Sequence, residues 1–266
     1  MGGKDFSEQE IREILARAYN LGVTLIDTGP YRSHGAERLI GSAIGTRRGD
    51  FIIATKFGHD TNTGAGVWRE ADIMRQLDAS LSALRSDYID IYQIHINTSA
   101  DRNGFLSHAE DIAQALGKAK TAGKIRYSGI SLGDDTLLDA TGELLQHAID
   151  IIGVDVVQVV YNRLDRGAEE RIFPIAERSG LGVITRVSLA KGYLSSHFQP
   201  KKEYDEARLQ RVTEIKKREV PEGTDLAEWA IAWCLRHNAV STVAPGCSTV
   251  SQLDSTVRAL ELVKTI

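Results

Sequence analysis

Cysteine is nearly absent: Cys234 and Cys247 are the only two in 266 residues. They lie far apart and match no metal-ligand spacing. A disulfide framework is therefore excluded, and reduced thiols in a cytoplasmic setting are the expectation. No apolar run approaches the roughly 18–20 residues that cross a bilayer. The polar N-terminus, MGGKDFSEQE, lacks the apolar core of a signal peptide. Basic charge is not in excess. The net charge of −4 gives no reason to expect nucleic acid or a membrane as a partner. Low-complexity stretches and dividing linkers are missing too, so residues 1–266 read as one domain. That length is near the roughly 250 residues of one α/β barrel, and an apolar content of 42% is enough for a full core.

What is present is a regular alternation of helix and strand. Ser7–Glu10 is a capping box, and Ile11, Ile14, Leu15, Ala18 and Leu21 follow at helical spacing. Gly22 stops that helix. Strands are expected at Val23–Asp27, Phe51–Lys56, Tyr88–His95, Arg126–Ser131, Val154–Val160, Gly182–Arg186 and Ser241–Ala244. The intervening helices are Ala36–Ile44, Glu70–Leu84, Ala109–Ala122, Asp134–Ile149, Ala168–Arg178, Ala207–Arg218 and Asp225–Arg236, with a last one from Val250. The count reaches seven strands, whereas a closed barrel of this kind takes eight. The missing strand falls before Ser7. Val23–Asp27 and Ser241–Ala244 would then carry open edges, which proteins avoid. Either those edges pair, or a segment from another chain, such as a second copy in a homo-oligomer, covers them. An open sheet with alternating helices is the competing architecture.

Three of these strands end in polar residues at their C-terminal ends, where a parallel barrel presents its chemistry. Asp27 and Tyr31 follow the first, Lys56 ends the second and His95 the third. Singly, each has a plainer reading: a turn acid, a packed ring, a solvated strand end, a core histidine. Together they form a constellation for proton transfer. A phenol ordinarily titrates near pH 10. An adjacent ammonium, held by a carboxylate, would lower that value and make the tyrosine a general acid. An imidazole could orient a carbonyl. Such a set protonates an alkoxide as hydride reaches the carbonyl carbon, and the hydride implies a nicotinamide.

The stretches LIDTGPY, AERLIGSAI, FIIATKFG, LSALRSDYIDIYQIH, GKIRYSGIS, VQVVYNRLDR, GVITRVSLAKGYL, LAEWAIAWCL and STVAPGCSTVSQL, in this order, span most of the chain. In them the sequence resembles the aldo-keto reductases, in the branch of bacterial reductases and potassium-channel β-like proteins. The resemblance implies a (β/α)₈ TIM barrel, here N-terminally incomplete, and no GxGxxG motif is present. It implies NADP(H) or NAD(H) as cofactor and a small carbonyl substrate, with the catalytic tetrad at Asp27, Tyr31, Lys56 and His95. Cofactor positions carry over to Ser131 and Gln158 at the nicotinamide amide and to Arg186 at its face. Ser188, Leu189, Lys191 and Gly192 fall in the pyrophosphate loop, and Gly246, Ser248 and Gln252 at the adenosine end. Four features depart from the family. Tyr31 follows Asp27 by four residues instead of five, so Arg32 competes for its place. Leu132 stands where an Asn is usual, and Thr256 replaces another. Ser248-Thr249 replaces a cation that grips a 2′-phosphate. His34, His59, Trp68, Asn97 and Tyr193 are candidate pocket borders, and Ser195–Glu206 is a short lid. The implied activity is NAD(P)H-dependent reduction of an aldehyde or ketone, or its reverse. Cofactor binding without turnover, and a lyase or isomerase acting on a sugar-like substrate, are the alternatives.

Overall fold

The computed structural model describes residues 6–60, 63–133, 142–196, 198 and 205–266. In chain order the elements are α1 (Glu8–Asn20), β1 (Leu25–Asp27), α2 (Tyr31–Ile44), β2 (Ile52–Phe57), α3 (Glu70–Leu84), β3 (Ile89–Ile96), α4 (Ser99–Ser107), α5 (Ala109–Thr121), β4 (Ile125–Leu132) and α6 (Glu143–His147). They continue with β5 (Val156–Val160), α7 (Ala168–Arg171), α8 (Phe173–Arg178), β6 (Gly182–Arg186), α9 (Glu206–Arg218), α10 (Leu226–Leu235), β7 (Thr242–Ala244) and α11 (Val250–Leu262). No helix among the described residues is long and apolar enough to cross a membrane.

Local chemistry accounts for the elements. The Ser7 hydroxyl accepts the Glu10 N–H and the Glu10 carboxylate accepts the Ser7 N–H, which closes the expected capping box of α1. Ile11, Ile14, Leu15 and Ala18 form its buried stripe. The same box recurs at Thr98 and Asp101 and starts α4, a helix that the sequence reading did not foresee. α2 begins at Tyr31, earlier than the expected Ala36. The helix expected over Ala168–Arg178 is two, α7 and α8, meeting at Ile172. Pro174 lacks an N–H and fits only the first turn of the second. Of the helix expected from Asp134, residues 134–141 lie outside the described residues, as does Met1–Gly3.

The seven strands are parallel and pair in sequence order, β1 to β7. That order belongs to a (β/α)₈-type barrel one strand short, and it excludes a doubly wound sheet, whose strand order reverses. Register then does functional work. Asp27 lies beside Ala54, Lys56 beside Gln93, His95 beside Ser131, and Ser131 beside Gln158. The polar residues so gather at one end of the sheet. β3 is buried along all eight residues.

The barrel is nearly closed. β1 and β7 carry Cα atoms within 8 Å of each other. Among the described residues no ladder joins them. Hydrogen-bonded neighbours would lie about 4.8 Å apart. The edges have thus approached without the expected pairing, and a seam remains between them. Behind it α1 packs on α11 through Ile14, Ala18 and Leu253, and Arg17 bonds Asp254 at 2.7 Å.

The opposite end of the sheet is fastened by Asp90. Its buried carboxylate accepts the Ile53 N–H at 2.9 Å, Arg48 at 2.7 Å and Arg126 at 2.9 Å. Both guanidinium groups also stack on the Tyr88 ring, each 4.2 Å from its centroid. Removing one partner of a buried pair strands the other charge, at about 3–5 kcal/mol. Asp90→Ala is therefore expected to lower the unfolding free energy by about that much, read as a reduced urea midpoint at unchanged slope. A loss below about 1 kcal/mol would show that Arg48 behaves as a solvated surface cation.

Candidate active site

β1 ends on Asp27, and the turn Thr28-Gly29-Pro30 delivers Tyr31 to the start of α2. Gly29 leaves room for that ring, because a Cβ there would lie 2.7 Å from Tyr31 Cε2 and push the phenol aside. β2 brings Lys56 from the neighbouring strand. Its ammonium is 3% exposed as a residue, and it donates to Asp27 Oδ1 at 2.7 Å, Asp27 Oδ2 at 2.8 Å and the Thr28 carbonyl at 2.9 Å. Three protons meet three acceptors. Asp27 is the hub, since its Oδ1 also accepts the Gln158 amide at 2.7 Å and the Gln93 amide at 3.4 Å. Ser131 Oγ in turn donates to Gln158 Oε1 at 3.1 Å.

His95 completes the group. It is buried, its Nδ1 lies 3.4 Å from the Asn97 amide, and the His59 ring stands edge-on at 5.5 Å. Burial pushes its pKa down to about 3, and the charges of Lys56, His59 and Arg186 push the same way. The imidazole is neutral at physiological pH. Burial also lowers the pKa of Lys56, against the opposing pull of Asp27. Tyr31 departs from expectation. Burial of its phenol, and then Asp27, raise its pKa, with Arg186 acting in the opposite sense. The lysine expected to lower that pKa spends its protons on Asp27 and Thr28 instead. One flank of Tyr31 stays open, with 44% of its surface exposed.

These groups share one cavity of about 300 Å³. Asp27, Tyr31, Lys56, His95, Gln158, Arg186 and Gly246 all line it. Ser131 lies fully buried behind Gln158. The other expected residues stand apart from the cavity. Ser188 is buried and its hydroxyl has no hydrogen-bond partner among the described residues. Leu189 packs into the core beside Leu194 and Trp229. Lys191 and Gly192 are in a loop of left-handed backbone, with φ of 58° at Val187, 49° at Ala190, 58° at Lys191 and 99° at Gly192. At the start of α11, Gln252 Oε1 accepts the Ser248 N–H at 2.7 Å.

His34 does not border the cavity. It turns to Glu37 at 2.5 Å. Trp68 is buried against Gly58, Gly66 and Gly104, and Tyr193 stacks on Phe198. The side chain of Arg32 and much of the expected lid, residues 197 and 199–204, lie outside the described residues. Gln93 was missed as a site residue. Strand alternation was the available signal, because it stands two residues before His95 on the same face. The seam end of the cavity was also unforeseen.

A family model, Aldo/keto reductase family, matches residues 1–266. The Bacillus subtilis oxidoreductase YqkF is 28% identical over 260 residues, covering 92% of this chain and 80% of that protein. The L-glyceraldehyde 3-phosphate reductase of Escherichia coli K12 is 28% identical, covering 94% of this chain and 78% of that protein. Potassium-channel β-like proteins of plants match as well. Among solved structures, aldo-keto reductase AKR11C1 from Bacillus halodurans in its holo form superposes with a TM-score of 0.83 at 30% identity, covering 97% of this chain and 83% of that one. The apo form of the same protein gives 0.76. With its sequence matched end to end and its barrel superposed on a solved member, the chain belongs to the aldo/keto reductase family.

Proposed function

We propose that the chain is an NAD(P)H-dependent oxidoreductase that reduces an aldehyde or ketone to an alcohol, or runs the reverse reaction. The observation that carries this reading is the Asp27-centred network, which fixes Lys56 in a cavity shared with Tyr31 and a neutral His95. The neutral imidazole can donate one N–H to a carbonyl oxygen and hold it still. Tyr31 then supplies the proton as charge builds on that oxygen. A raised phenol pKa suits this order of events, since the donor stays loaded and an alkoxide is far more basic than a phenolate. Lys56 and Arg186 put positive charge next to the oxygen in a poorly hydrated site, where such charge acts most strongly.

The residues present fit a nicotinamide cofactor. The buried Ser188 hydroxyl lacks a partner among the described residues. The loop from Val187 to Gly192 holds left-handed backbone that a bound group would justify. Gln158 lines the cavity and its amide nitrogen keeps a second proton for a carboxamide, with Ser131 holding its Oε1 from behind; Arg186 offers a planar cation to a ring face, and the family resemblance assigns Lys191, Gly192 and Gly246 to the diphosphate and adenosine. When bound, the cofactor supplies the hydride.

Tyr31→Phe removes the proton donor and little else. Reduction of an aldehyde panel, followed by loss of NAD(P)H absorbance, should fall at least about 10²-fold, with cofactor Kd unchanged. Near-normal turnover would assign the proton to another group. Tight cofactor binding by the parent protein without any turnover would favour the binding-only reading.

The pH profile tests the same groups. Tyr31 must be protonated to act, and its pKa lies above the ordinary value, so activity should be lost only above about pH 10. His95 stays neutral down to about 3. The kcat/KM for reduction should therefore be flat from about pH 5 to 9, and a break between 6 and 8 would contradict the neutral imidazole.

Cofactor choice follows from α11. Ser248 and Thr249 carry no charge, the Ser248 N–H is held by Gln252, and Arg258 is paired with Glu228. Without a charge-assisted bond worth roughly 1.5–3 kcal/mol, NADH should be usable. A Kd for NADPH more than about 10³-fold tighter than for NADH would reveal a cation acting from elsewhere.

A further inference from the structure

We infer that Glu37, acting through His34, is the positioning residue of the proton donor: it clamps the turn that carries Tyr31 to the strand that carries Lys56. The inference rests on the reductase reading for the word donor, and on the buried geometry alone for the clamp.

Tyr31 has no anchor of its own. Nothing among the described residues hydrogen-bonds its phenol, and the surroundings act on it through burial and charge. The ring therefore goes where its backbone puts it. That backbone is fastened on both sides, at Thr28 and at His34. Upstream, the Thr28 N–H donates to the Ala54 carbonyl at 2.8 Å, and the Thr28 carbonyl accepts Lys56. Downstream, the His34 N–H closes a turn on the Pro30 carbonyl at 3.2 Å, and His34 Nδ1 lies 2.5 Å from Glu37 Oε2. Glu37 Oε1 in turn accepts the Thr55 hydroxyl at 2.6 Å. Thr55 is the neighbour of Lys56 on β2 and faces the other side of the sheet. One carboxyl group thus joins α2 to β2 behind the cavity.

Packing alone does not ask for this arrangement. Glu37 is 0% exposed, and an apolar group in its place would fill the space at least as stably. Ser33 and His34 are both left-handed, with φ of 51° and 66°, a state that L residues visit singly and reluctantly. A glycine at position 34 would relieve that strain but could not reach Glu37. The buried acid and the strained backbone meet on the same turn, and that turn carries the phenol. A clamp there acts on rate, because a misplacement of about 1 Å costs on the order of 10²-fold.

The test separates placement from stability. His34→Gly is at ease in left-handed backbone and deletes the clamp. Its thermal midpoint should hold or rise, while kcat for aldehyde reduction falls about 10²-fold at unchanged NAD(P)H Kd. His34→Asn is the rescue. Asn accepts the same backbone, and its amide nitrogen takes the place of Nδ1, one bond from Cγ, so kcat should return to near the parent value. Thr55→Val removes the other bond of Glu37 without entering the cavity. Added to His34→Gly it should lower kcat no further, since both act through one carboxyl group. A second readout needs no turnover. In protein isotope-labelled at tyrosine Cζ, the Tyr31 resonance, assigned by its loss in Tyr31→Phe, should shift in His34→Gly and return in His34→Asn. Should His34→Gly fail to fold, Thr55→Val alone decides, by whether kcat and the Tyr31 resonance move together. A parent-like kcat in His34→Gly overturns the inference, as does a loss of kcat that tracks the thermal midpoint and is not restored by His34→Asn. If no aldehyde is reduced but the resonance moves and is restored as described, the clamp stands and the reductase reading falls.

Discussion

The buried contact between Lys56 and Asp27 is the constraint on which the site depends. An ammonium taken out of water loses several kcal/mol of hydration, and one carboxylate rarely repays it in full. Here the debt is spread. Asp27 receives two protons from Lys56 and amide protons from Gln158 and Gln93, and Lys56 gives its third to the Thr28 carbonyl. Residues of β1, β2, β3 and β5 are thereby tied to one carboxylate, and Ser131 brings in β4. A leucine and a methionine could pack that end of the barrel at least as stably. What the charges add is a fixed field, which an apolar core cannot supply.

Strain collects on both sides of this hub. Ser33 and His34, just after Tyr31, have φ of 51° and 66°. Val187, just after Arg186, has φ of 58°, an unusual state for a β-branched residue. Such conformations cost on the order of 1–3 kcal/mol each and persist where their surroundings hold them. The holding groups are visible. Arg38 bonds the Ser33 carbonyl at 2.7 Å, and buried Glu37 bonds both His34 and Thr55, the residue next to Lys56. Asn162 and the Ala190 N–H bond the Val187 carbonyl at 3.0 and 2.8 Å. The two loops flanking the cavity are thus set by buried polar bonds from the scaffold, which keeps Tyr31 and Arg186 in register with the strand ends.

Much of this was legible in the residue pattern, for reasons that can be named. Strand ends were readable because apolar runs stop at Asp27, Lys56 and His95, and parallel pairing then brings those stops together. Helix starts were readable wherever a capping residue precedes an apolar stripe, as at Ser7. α4 escaped notice although Thr98 and Asp101 spell the same signal, because its helix buries little besides Asp101 and Phe105. The partners of polar groups were not legible. Nothing in the spacing says that Lys56 turns its three protons on Asp27 and Thr28 and away from Tyr31. Nothing there says that Gln252 folds back on Ser248. Such choices depend on the last ångström of side-chain placement, and in the case of the seam on how far two strand edges relax toward each other.

The electrostatic balance of the cavity makes sense of the neutral histidine. Lys56 and Asp27 cancel, and Arg186 brings a second positive charge to the same wall. A protonated His95 would add a third within reach of both cations, in a place already dry, and the combined repulsion and desolvation explain a pKa near 3. Two consequences follow for the proposed reaction. An imidazole that stays neutral can orient a carbonyl oxygen without competing to protonate it, which leaves the phenol as the acid. Meanwhile the Lys56 ammonium and the Arg186 guanidinium border the place of an oxygen that becomes negative only as hydride arrives. The field is then complementary to the transition state more than to the neutral carbonyl that enters, which is the condition for a fixed charge to raise a rate and not merely an affinity.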